Sequence, residues 1–123
     1  MRYEAAGVAA GDGVKVYLSG PMTGIPDYNF PAFEAAAKEL RARDQEVFSP
    51  HELGVDPAKT WADYLRADIR ALVDCDAVVC LPGWEQSKGA SLEVYIAKAL
   101  EMPVLMVGDV TLPPISSGRG GRG

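Results

Sequence analysis

The stretch Ala77-Val78-Val79-Cys80-Leu81 holds only apolar residues. A strand without polar alternation is typical of a parallel sheet that is covered by helices on both faces. Outward from this stretch, strand and helix patterns alternate along the chain, which indicates an α/β fold. The predicted fold is a Rossmann-like or flavodoxin-like three-layer sandwich whose parallel sheet has four or five strands. We predict strands at 14–18, 46–48, 77–81 and 104–107, and helices at 31–43, 60–74 and 90–101.

The composition is that of one globular domain with a hydrophobic core. Of the 123 residues, 48% are hydrophobic and 24% are charged, and the formal net charge is −5. An acidic chain repels polyanions, so we expect no binding to a nucleic-acid backbone. No apolar run approaches the ~18 residues that span a membrane, and residues 1–13 lack the apolar region of a secretory signal. We therefore expect a cytoplasmic protein that does not bind membranes.

The chain divides into three parts by composition. We predict a flexible N-terminal arm at 1–13, an α/β domain at 14–110 and a flexible tail rich in glycine and arginine at 111–123. One histidine and two cysteines exclude a three-histidine metal site and a four-cysteine zinc site. Cys75 and Cys80 lie in apolar surroundings, which predicts reduced core cysteines. We expect that neither a metal nor an organic cofactor is required.

Loop lengths predict where a ligand binds. The links from helix to strand are short, whereas the loops from strand to helix span 19–30, 49–59 and 82–89. All three long loops leave the carboxyl ends of strands, and in a parallel sheet these ends share one edge, where ligands bind. Small domains retain long loops chiefly for function. The sequence therefore predicts a ligand site at this edge.

The first of these loops is a candidate anion site. Ser19-Gly20-Pro21-Met22-Thr23-Gly24 follows a strand, and its two glycines let the backbone turn and approach a ligand closely. Successive backbone N–H groups in such a turn bind anions, so Gly20, Met22, Thr23 and Gly24 are candidate phosphate-binding residues. The loop has neither the Gly-Lys-Ser/Thr ending of a P-loop nor a Gly-x-Gly-x-x-Gly pattern. A plain turn between strand and helix is the alternative.

Two carboxylates are candidates for chemistry at the same edge. Asp68 falls within the apolar stripe of the second predicted helix, where an unpaired carboxylate is costly to bury. It is therefore either a functional group or a structural cap for a neighbouring loop. Glu93 lies in the first turn of the third predicted helix, just after Ser87 and Gly89. It is either a partner of the helix dipole or a functional group, and Ser87 is a candidate donor to an anion.

The side chains around these carboxylates favour glycosidic chemistry. Tyr17 is either a packing residue of the first strand or a group that orients a carboxylate. Two carboxylates and a tyrosine suit cleavage of a glycosidic bond, in which one acid protonates the leaving group and one carboxylate attacks or stabilises the sugar carbon. Trp84 and Tyr28 are candidates for stacking on a base or for covering the core. Asn29 is a helix cap or a substrate contact, and His51 lacks the partners of a hydrolase triad.

Three of these segments together resemble the nucleoside 2-deoxyribosyltransferase-like superfamily. They are Val16-Tyr17-Leu18-Ser19-Gly20-Pro21-Met22-Thr23-Gly24, Asp68 ahead of Asp76-Ala77-Val78-Val79, and Ser87-x-Gly89 followed by Glu93. Within the superfamily, the chain is more similar to the (deoxy)nucleoside 5′-monophosphate N-glycosidases. The stretch 14–107 also resembles small deoxyribosyltransferase-like proteins of phages and bacteria. The order and spacing of the three motifs make the resemblance more specific than any motif alone.

The resemblance implies a role for each matching residue. Glu93 corresponds to the catalytic glutamate, which is the nucleophile in the transferases, and Asp68 to the aspartate that assists departure of the base. Tyr17 corresponds to the tyrosine that positions the glutamate. Met22, Thr23 and Gly24 correspond to the loop that binds the 5′-phosphate through backbone amides, and Ser87 and Gly89 to the second phosphate-binding segment.

The resemblance also implies a homodimer in which a serine of the partner subunit completes the phosphate site, and Ser116 or Ser117 is the candidate here. The chain departs from the pattern of its relatives at two points of the loop after the first strand. Pro21 has no backbone N–H, and no arginine follows it in that loop.

The predicted function is hydrolysis of the N-glycosidic bond of a (deoxy)nucleoside 5′-monophosphate, which releases free base and (deoxy)ribose 5-phosphate. The alternatives are base exchange by a nucleoside 2-deoxyribosyltransferase and a non-catalytic nucleotide-binding module. The expected partners are a small-molecule nucleotide and a second copy of the chain.

Overall fold

Strand β3 (Ala77–Cys80) lies inside a four-stranded sheet, and all of its residues are buried. The computed structural model describes residues 14–108. Strands β1 (Lys15–Ser19), β2 (Glu46–Phe48) and β4 (Val104–Met106) complete the sheet in the order β2-β1-β3-β4. All of these strand pairings are parallel. The predicted α/β fold with a parallel sheet is therefore confirmed.

Helices cover both faces of the sheet. Helix α1 (Phe30–Arg41) shares a core cluster with Val16 of β1. Helices α2 (Trp61–Val73) and α3 (Lys88–Ala99) share a second core cluster with Tyr17 of the same strand. Because neighbouring residues of a strand point to opposite faces, α1 lies on one face and the other two helices lie on the other. The predicted three-layer arrangement follows from this division.

The predicted helices are present, with shifted ends. Helix α3 begins two residues earlier than predicted because the Ser87 side chain caps it by accepting a hydrogen bond from the Ala90 N–H at 3.1 Å. It ends at Ala99, shortly before Glu101, whose backbone is left-handed with φ 61°. Helix α1 also ends two residues early, ahead of the left-handed Asp44 with φ 64°. A left-handed residue cannot continue a right-handed helix.

The apolar stripe of α2 is only partly buried. A stripe of this kind predicts core packing, but of its members Trp61, Tyr64, Leu65, Ile69 and Leu72 only Leu72 is fully buried. The side chain of Trp61 is 48% exposed. The start of α2 therefore faces an open cleft and not the core, because Trp61, Tyr64 and Leu65 line that cleft.

Both cysteines are free and buried, as predicted. Burial raises the pKa of the Cys75 thiol to about 12 and that of Cys80 to about 11. Since the thiolate is the reactive form, both side chains act as apolar core residues at neutral pH.

Some predictions lie outside the described residues. These are the arm at 1–13 and the tail at 111–123, which includes Ser116 and Ser117. Within 14–108, no helix combines the length and the apolar character that crossing a membrane requires.

A reciprocal cap starts α2 and has a measurable effect on stability. The Thr60 hydroxyl accepts from the Asp63 N–H at 3.1 Å, and the Asp63 carboxylate accepts from the Thr60 N–H at 2.9 Å. Thr60→Ala should lower the free energy of unfolding by about 1 kcal/mol, as measured by urea denaturation. The control Glu34→Ala, at an exposed position on α1, should stay within about 0.5 kcal/mol of the unsubstituted protein. An equal loss in both variants would contradict the role of the cap.

Candidate functional site

A cleft of about 1170 Å³ opens at the carboxyl edge of the sheet. It is lined by the loops that follow β1, β2 and β3 and by residues of helices α1, α2 and α3. In the strand order β2-β1-β3-β4, the chain leaves β1 toward one side and β3 toward the other. Ligands of α/β proteins bind at such switch points. The cleft therefore lies where the long loops predict a ligand site.

Two hydroxyl groups of β1 hold the Glu93 carboxylate. The Tyr17 hydroxyl donates to Glu93 Oε2 at 2.8 Å, and the Ser19 hydroxyl donates to Glu93 Oε1 at 2.7 Å. Residues 17 and 19 point to the same face of the strand because side chains alternate along it. Glu93 is only 5% exposed, yet it lines the cleft. The carboxylate is thus fixed at both oxygens beside an open cleft.

The helix dipole does not account for this position. The sequence places Glu93 in the first turn of the third helix, but α3 begins at Lys88, so Glu93 lies in the second turn. The dipole acts mainly within the first turn. The hydroxyls of β1 therefore account for the carboxylate at this position better than the helix terminus does.

Burial makes Glu93 a weaker acid than an ordinary glutamate. Loss of water raises its pKa from 4.5 to about 7, and the negative charge of Asp68 adds to the rise. The hydrogen bonds from Ser19 and Tyr17 act in the opposite direction. Burial and the charge of Glu93 also raise the pKa of Tyr17 well above 10. Tyr17 therefore keeps its proton and remains a donor to the carboxylate.

Asp68 lines the same cleft from the side of α2. Its Oδ1 atom is buried and has no hydrogen-bond partner among residues 14–108. Burial raises the pKa of this carboxyl to about 6. The alternative of a structural cap for a neighbouring loop finds no support in these contacts, because Oδ1 accepts no backbone N–H. Asp68 is an acid that gains and releases a proton near neutral pH at the wall of the cleft.

The loop after β1 contributes Gly20, Met22 and Thr23 to the cleft, whereas Gly24 is not among the lining residues. A Cβ atom on Gly20 would lie 2.8 Å from Leu81 Cβ, so close packing against the end of β3 requires glycine here. This steric reason for Gly20 holds with or without a phosphate ligand. Asn29 also lines the cleft, and its side chain donates to the Pro21 carbonyl oxygen at 3.0 Å. It does not cap α1.

The start of α3 carries Ser87 and Gly89, and both line the cleft. The Ser87 hydroxyl oxygen already accepts the Ala90 N–H, so its first role is that of a helix cap. Trp61 lies beside this turn, and the Lys88 ammonium group is 5.2 Å from the centre of its ring. Neither Trp61 nor Lys88 is among the candidate site residues that the sequence motifs indicate. A signal was present in their positions, since each follows a long loop at the carboxyl edge.

Two candidate aromatic groups differ in position. Tyr28 lines the cleft, whereas Trp84 is absent from the lining and packs against the second core cluster. The structure therefore favours the core-covering role of Trp84 over a contact with a base or sugar. His51 contacts the Ser49 hydroxyl and the rings of Phe30 and Phe33. Among residues 14–108, no group of three or more His, Cys, Asp or Glu side chains is arranged to hold a metal ion.

Ser19 is a further residue of the site that the sequence motifs do not single out. In the sequence it only begins a loop, but its hydroxyl is fully buried and bonded to Glu93. The available signal was its spacing of two residues from Tyr17 on a strand, which puts both hydroxyls on one face.

Sequence comparison links the chain to one family. Residues 14–106 match a family described as a domain of unknown function, DUF4406. No curated protein is significantly similar to the chain in sequence.

Three solved structures share the fold. A 2-deoxyribosyltransferase from Bacillus psychrosaccharolyticus has a TM-score of 0.61 and 20% identity over 76% of this chain and 71% of its own. A 2-deoxyribosyltransferase from Leishmania mexicana has a TM-score of 0.60 and 20% identity over 76% of this chain and 63% of its own. A conserved protein from Enterococcus faecalis V583 has a TM-score of 0.62 and 22% identity over 76% of this chain and 62% of its own. The chain thus spans less than two thirds of the length of the latter two.

These matches confirm the nucleoside 2-deoxyribosyltransferase-like fold that the three motifs predict. Identities of this size establish a fold without its chemistry.

The buried carboxyl of Glu93 should make stability depend on pH. Because its pKa is about 7 when folded and 4.5 ordinarily, the folded state retains a proton that the unfolded state releases. Stability is therefore lost as pH rises from 4.5 through 7. As the pH is raised from 4 to 8, the unsubstituted protein should lose stability that Glu93→Gln keeps. The difference in unfolding free energy should therefore shift by about 3 kcal/mol in favour of Glu93→Gln. Denaturation at a series of pH values measures this difference. The exposed control Glu34→Gln should show no such trend, and a pH-independent difference for Glu93→Gln would refute the buried-acid account.

Proposed function

Because the chain belongs to the DUF4406 family and has a deoxyribosyltransferase-like fold, we propose that it cleaves the N-glycosidic bond between a nucleobase and C1′ of a (deoxy)ribose. The observation that carries this proposal is the pairing of two carboxylic acids in one cleft. Glu93 is held at both oxygens by hydroxyls, whereas Asp68 has a buried oxygen without a partner. When two carboxyls lie in such different environments, one can act as a nucleophile and the other as a general acid.

In the proposed reaction, Glu93 is the nucleophile and Asp68 is the general acid. An oxygen of the ionised Glu93 attacks C1′, and the bond from C1′ to the base nitrogen breaks with its electron pair leaving on the base. Asp68 supplies a proton to that base. A second nucleophile then displaces the glutamate from C1′ and returns a proton to Asp68. The buried, preorganised carboxylate also stabilises the positive charge that develops on the sugar.

The second nucleophile decides between transfer and hydrolysis, and transfer to an acceptor base is favoured. Two of the structural neighbours are named as 2-deoxyribosyltransferases. The proposed substrate is accordingly a deoxyribonucleoside, with a free base as the acceptor.

Hydrolysis of a (deoxy)nucleoside 5′-monophosphate is the second candidate. Lys59 and Lys88 line the cleft together with the start of α3 and the loop after β1. Ammonium groups and backbone N–H groups at a helix start attract phosphate. In this reaction, water displaces Glu93 and the products are free base and (deoxy)ribose 5-phosphate.

We also propose that the chain forms a homodimer, as the motif resemblance implies. Leu92 and Tyr95 of α3 are exposed, and Tyr95 is 72% exposed, although both are large apolar side chains. Exposed apolar groups of this kind are typical of interaction surfaces. Sedimentation equilibrium should give twice the mass of the chain, and a monomer at micromolar concentration would rule the dimer out.

Product analysis tests the reaction directly. The protein is incubated with a panel of ribo- and deoxyribonucleosides and their 5′-monophosphates, with and without an acceptor base, and free and exchanged bases are separated by chromatography. Exchange that requires the acceptor indicates transfer, and base release without it indicates hydrolysis. Glu93→Ala should reduce either activity to the uncatalysed level because no carboxylate remains at C1′. The control Glu34→Ala should retain full activity.

Tryptophan fluorescence separates an enzyme from a non-catalytic binding module. The chain has two tryptophans, and only Trp61 lines the cleft. In Trp84→Phe, fluorescence should therefore decrease when a nucleoside or nucleotide binds, while Trp61→Phe should show little change. Binding without turnover across the whole panel would favour the nucleotide-binding module and overturn the proposed reaction.

The proposed roles predict a bell-shaped pH profile of kcat/KM. Activity requires ionised Glu93, whose pKa is about 7, and protonated Asp68, whose pKa is about 6. Only a minority of molecules has Glu93 ionised and Asp68 protonated at the same time. That fraction is largest at a pH between the two pKa values. The profile should rise near pH 6 and fall near pH 7. Asp68→Asn should lower kcat/KM by about 10²- to 10⁴-fold and remove the fall at high pH. A fall that persists in this variant would exclude Asp68 as the general acid.

A further inference from the structure

We propose that Ser19 is a positioning residue that holds the Glu93 carboxylate in one orientation and in its ionised form. The Ser19 hydroxyl donates to Oε1 at 2.7 Å, while Tyr17 donates to Oε2 at 2.8 Å. The side chain of Ser19 is completely buried, so no water competes for this hydrogen bond. The catalytic consequence of this role rests on the proposed function of Glu93, whereas the interaction itself does not.

Two donors on different oxygens restrict the carboxylate more than one donor does. Tyr17 alone would hold Oε2 and leave Oε1 without a partner, so the carboxylate could pivot about that single hydrogen bond. With Ser19 in place, rotation breaks a buried hydrogen bond, which is costly in an interior without water. An ionised carboxylate offers about four lone-pair positions, and the two hydroxyls use only two of them. The remaining lone pairs are available to a sugar carbon in the cleft.

Within residues 14–108, no cation is among the groups that shift the pKa of Glu93, so none takes the place of Ser19. The groups that face the carboxylate are Tyr17 and Ser19 of β1, Cys80 of β3 and Asp68 of α2. Burial and Asp68 oppose ionisation of Glu93, and the two hydroxyls are the groups that favour it. No salt bridge within residues 14–108 includes Glu93. Loss of Ser19 therefore removes one of two interactions that stabilise the anion.

A purely structural role for Ser19 predicts a different result. A buried serine that only fills space would affect stability and overall activity when it is replaced, but it would leave the acidity of Glu93 unchanged. A positioning residue changes the pKa of Glu93 and lowers kcat without a matching change in KM. The two roles can therefore be separated by titration.

The experiment compares Ser19→Ala with Ser91→Ala. Ser91 lies on α3 two residues before Glu93, and its hydroxyl donates to backbone carbonyl oxygens instead of the carboxylate. The Glu93 carboxyl is titrated by carbon NMR in protein labelled at the glutamate side-chain carboxyl, with Glu93→Gln used to assign its signal. In Ser19→Ala, the pKa of Glu93 should rise by about one unit because a hydrogen bond to the anion is lost. Ser91→Ala should leave it unchanged.

Turnover gives a second readout. In Ser19→Ala, kcat should fall about tenfold near pH 6.5 with little change in KM, and the fall of the pH profile should move to higher pH. Ser19→Thr, which keeps the hydroxyl, should restore the pKa of Glu93 toward its original value. Thermal unfolding of each variant verifies that it is folded.

The outcomes distinguish this proposal from the proposed function. An unchanged Glu93 pKa in folded Ser19→Ala would overturn the role of Ser19, even if the protein is an active glycosidase or transferase. A raised pKa in a protein that shows no turnover would leave the role of Ser19 supported and refute the proposed reaction.

Discussion

The hydrogen bonds between the Glu93 carboxylate and the Tyr17 and Ser19 hydroxyls are the interaction on which the site depends. They join the central strand β1 to helix α3 across 76 and 74 residues of sequence. A carboxylate buried without partners would remain protonated or disrupt the core, because transfer of a charge from water is costly. Two neutral donors offset part of this cost without a cation. The pKa of Glu93 stays near neutrality as a result, whereas a salt bridge would lower it.

The sheet order determines which groups can meet at this carboxylate. β1 and β3 are neighbours in the interior of the sheet, so their carboxyl ends lie side by side at the switch point. The Leu81 N–H donates to the Ser19 carbonyl oxygen at 2.8 Å. The Leu81 side chain leaves no room for a Cβ atom at Gly20. Close packing of the two strand ends brings the loop after β1 next to the start of α3. The same packing leaves the space above these ends open as a cleft.

Helix α2 forms the wall of the cleft that faces Glu93, because the apolar stripe of this helix is only partly covered by the core. The amphipathic pattern predicts a core-facing stripe, and in the structure only Leu72 is completely buried. The preceding turns expose Trp61, Tyr64 and Asp68 to the cleft. A helical pattern reports which residues share a face, but it does not report whether a neighbour covers that face. The sequence could therefore identify Asp68 as unusual, while only the tertiary structure places it at the wall of a cleft.

The sequence by itself determined the α/β class and the parallel sheet, because these depend on apolar runs and spacings within short segments. It also indicated Glu93, Asp68 and Tyr17, since their motifs keep a set order along the chain. Only the tertiary structure decided that Ser19 bonds to Glu93, that Trp84 belongs to the core and that the start of α2 faces a cleft. These facts depend on contacts between distant segments, and local propensity carries no information about which segments meet.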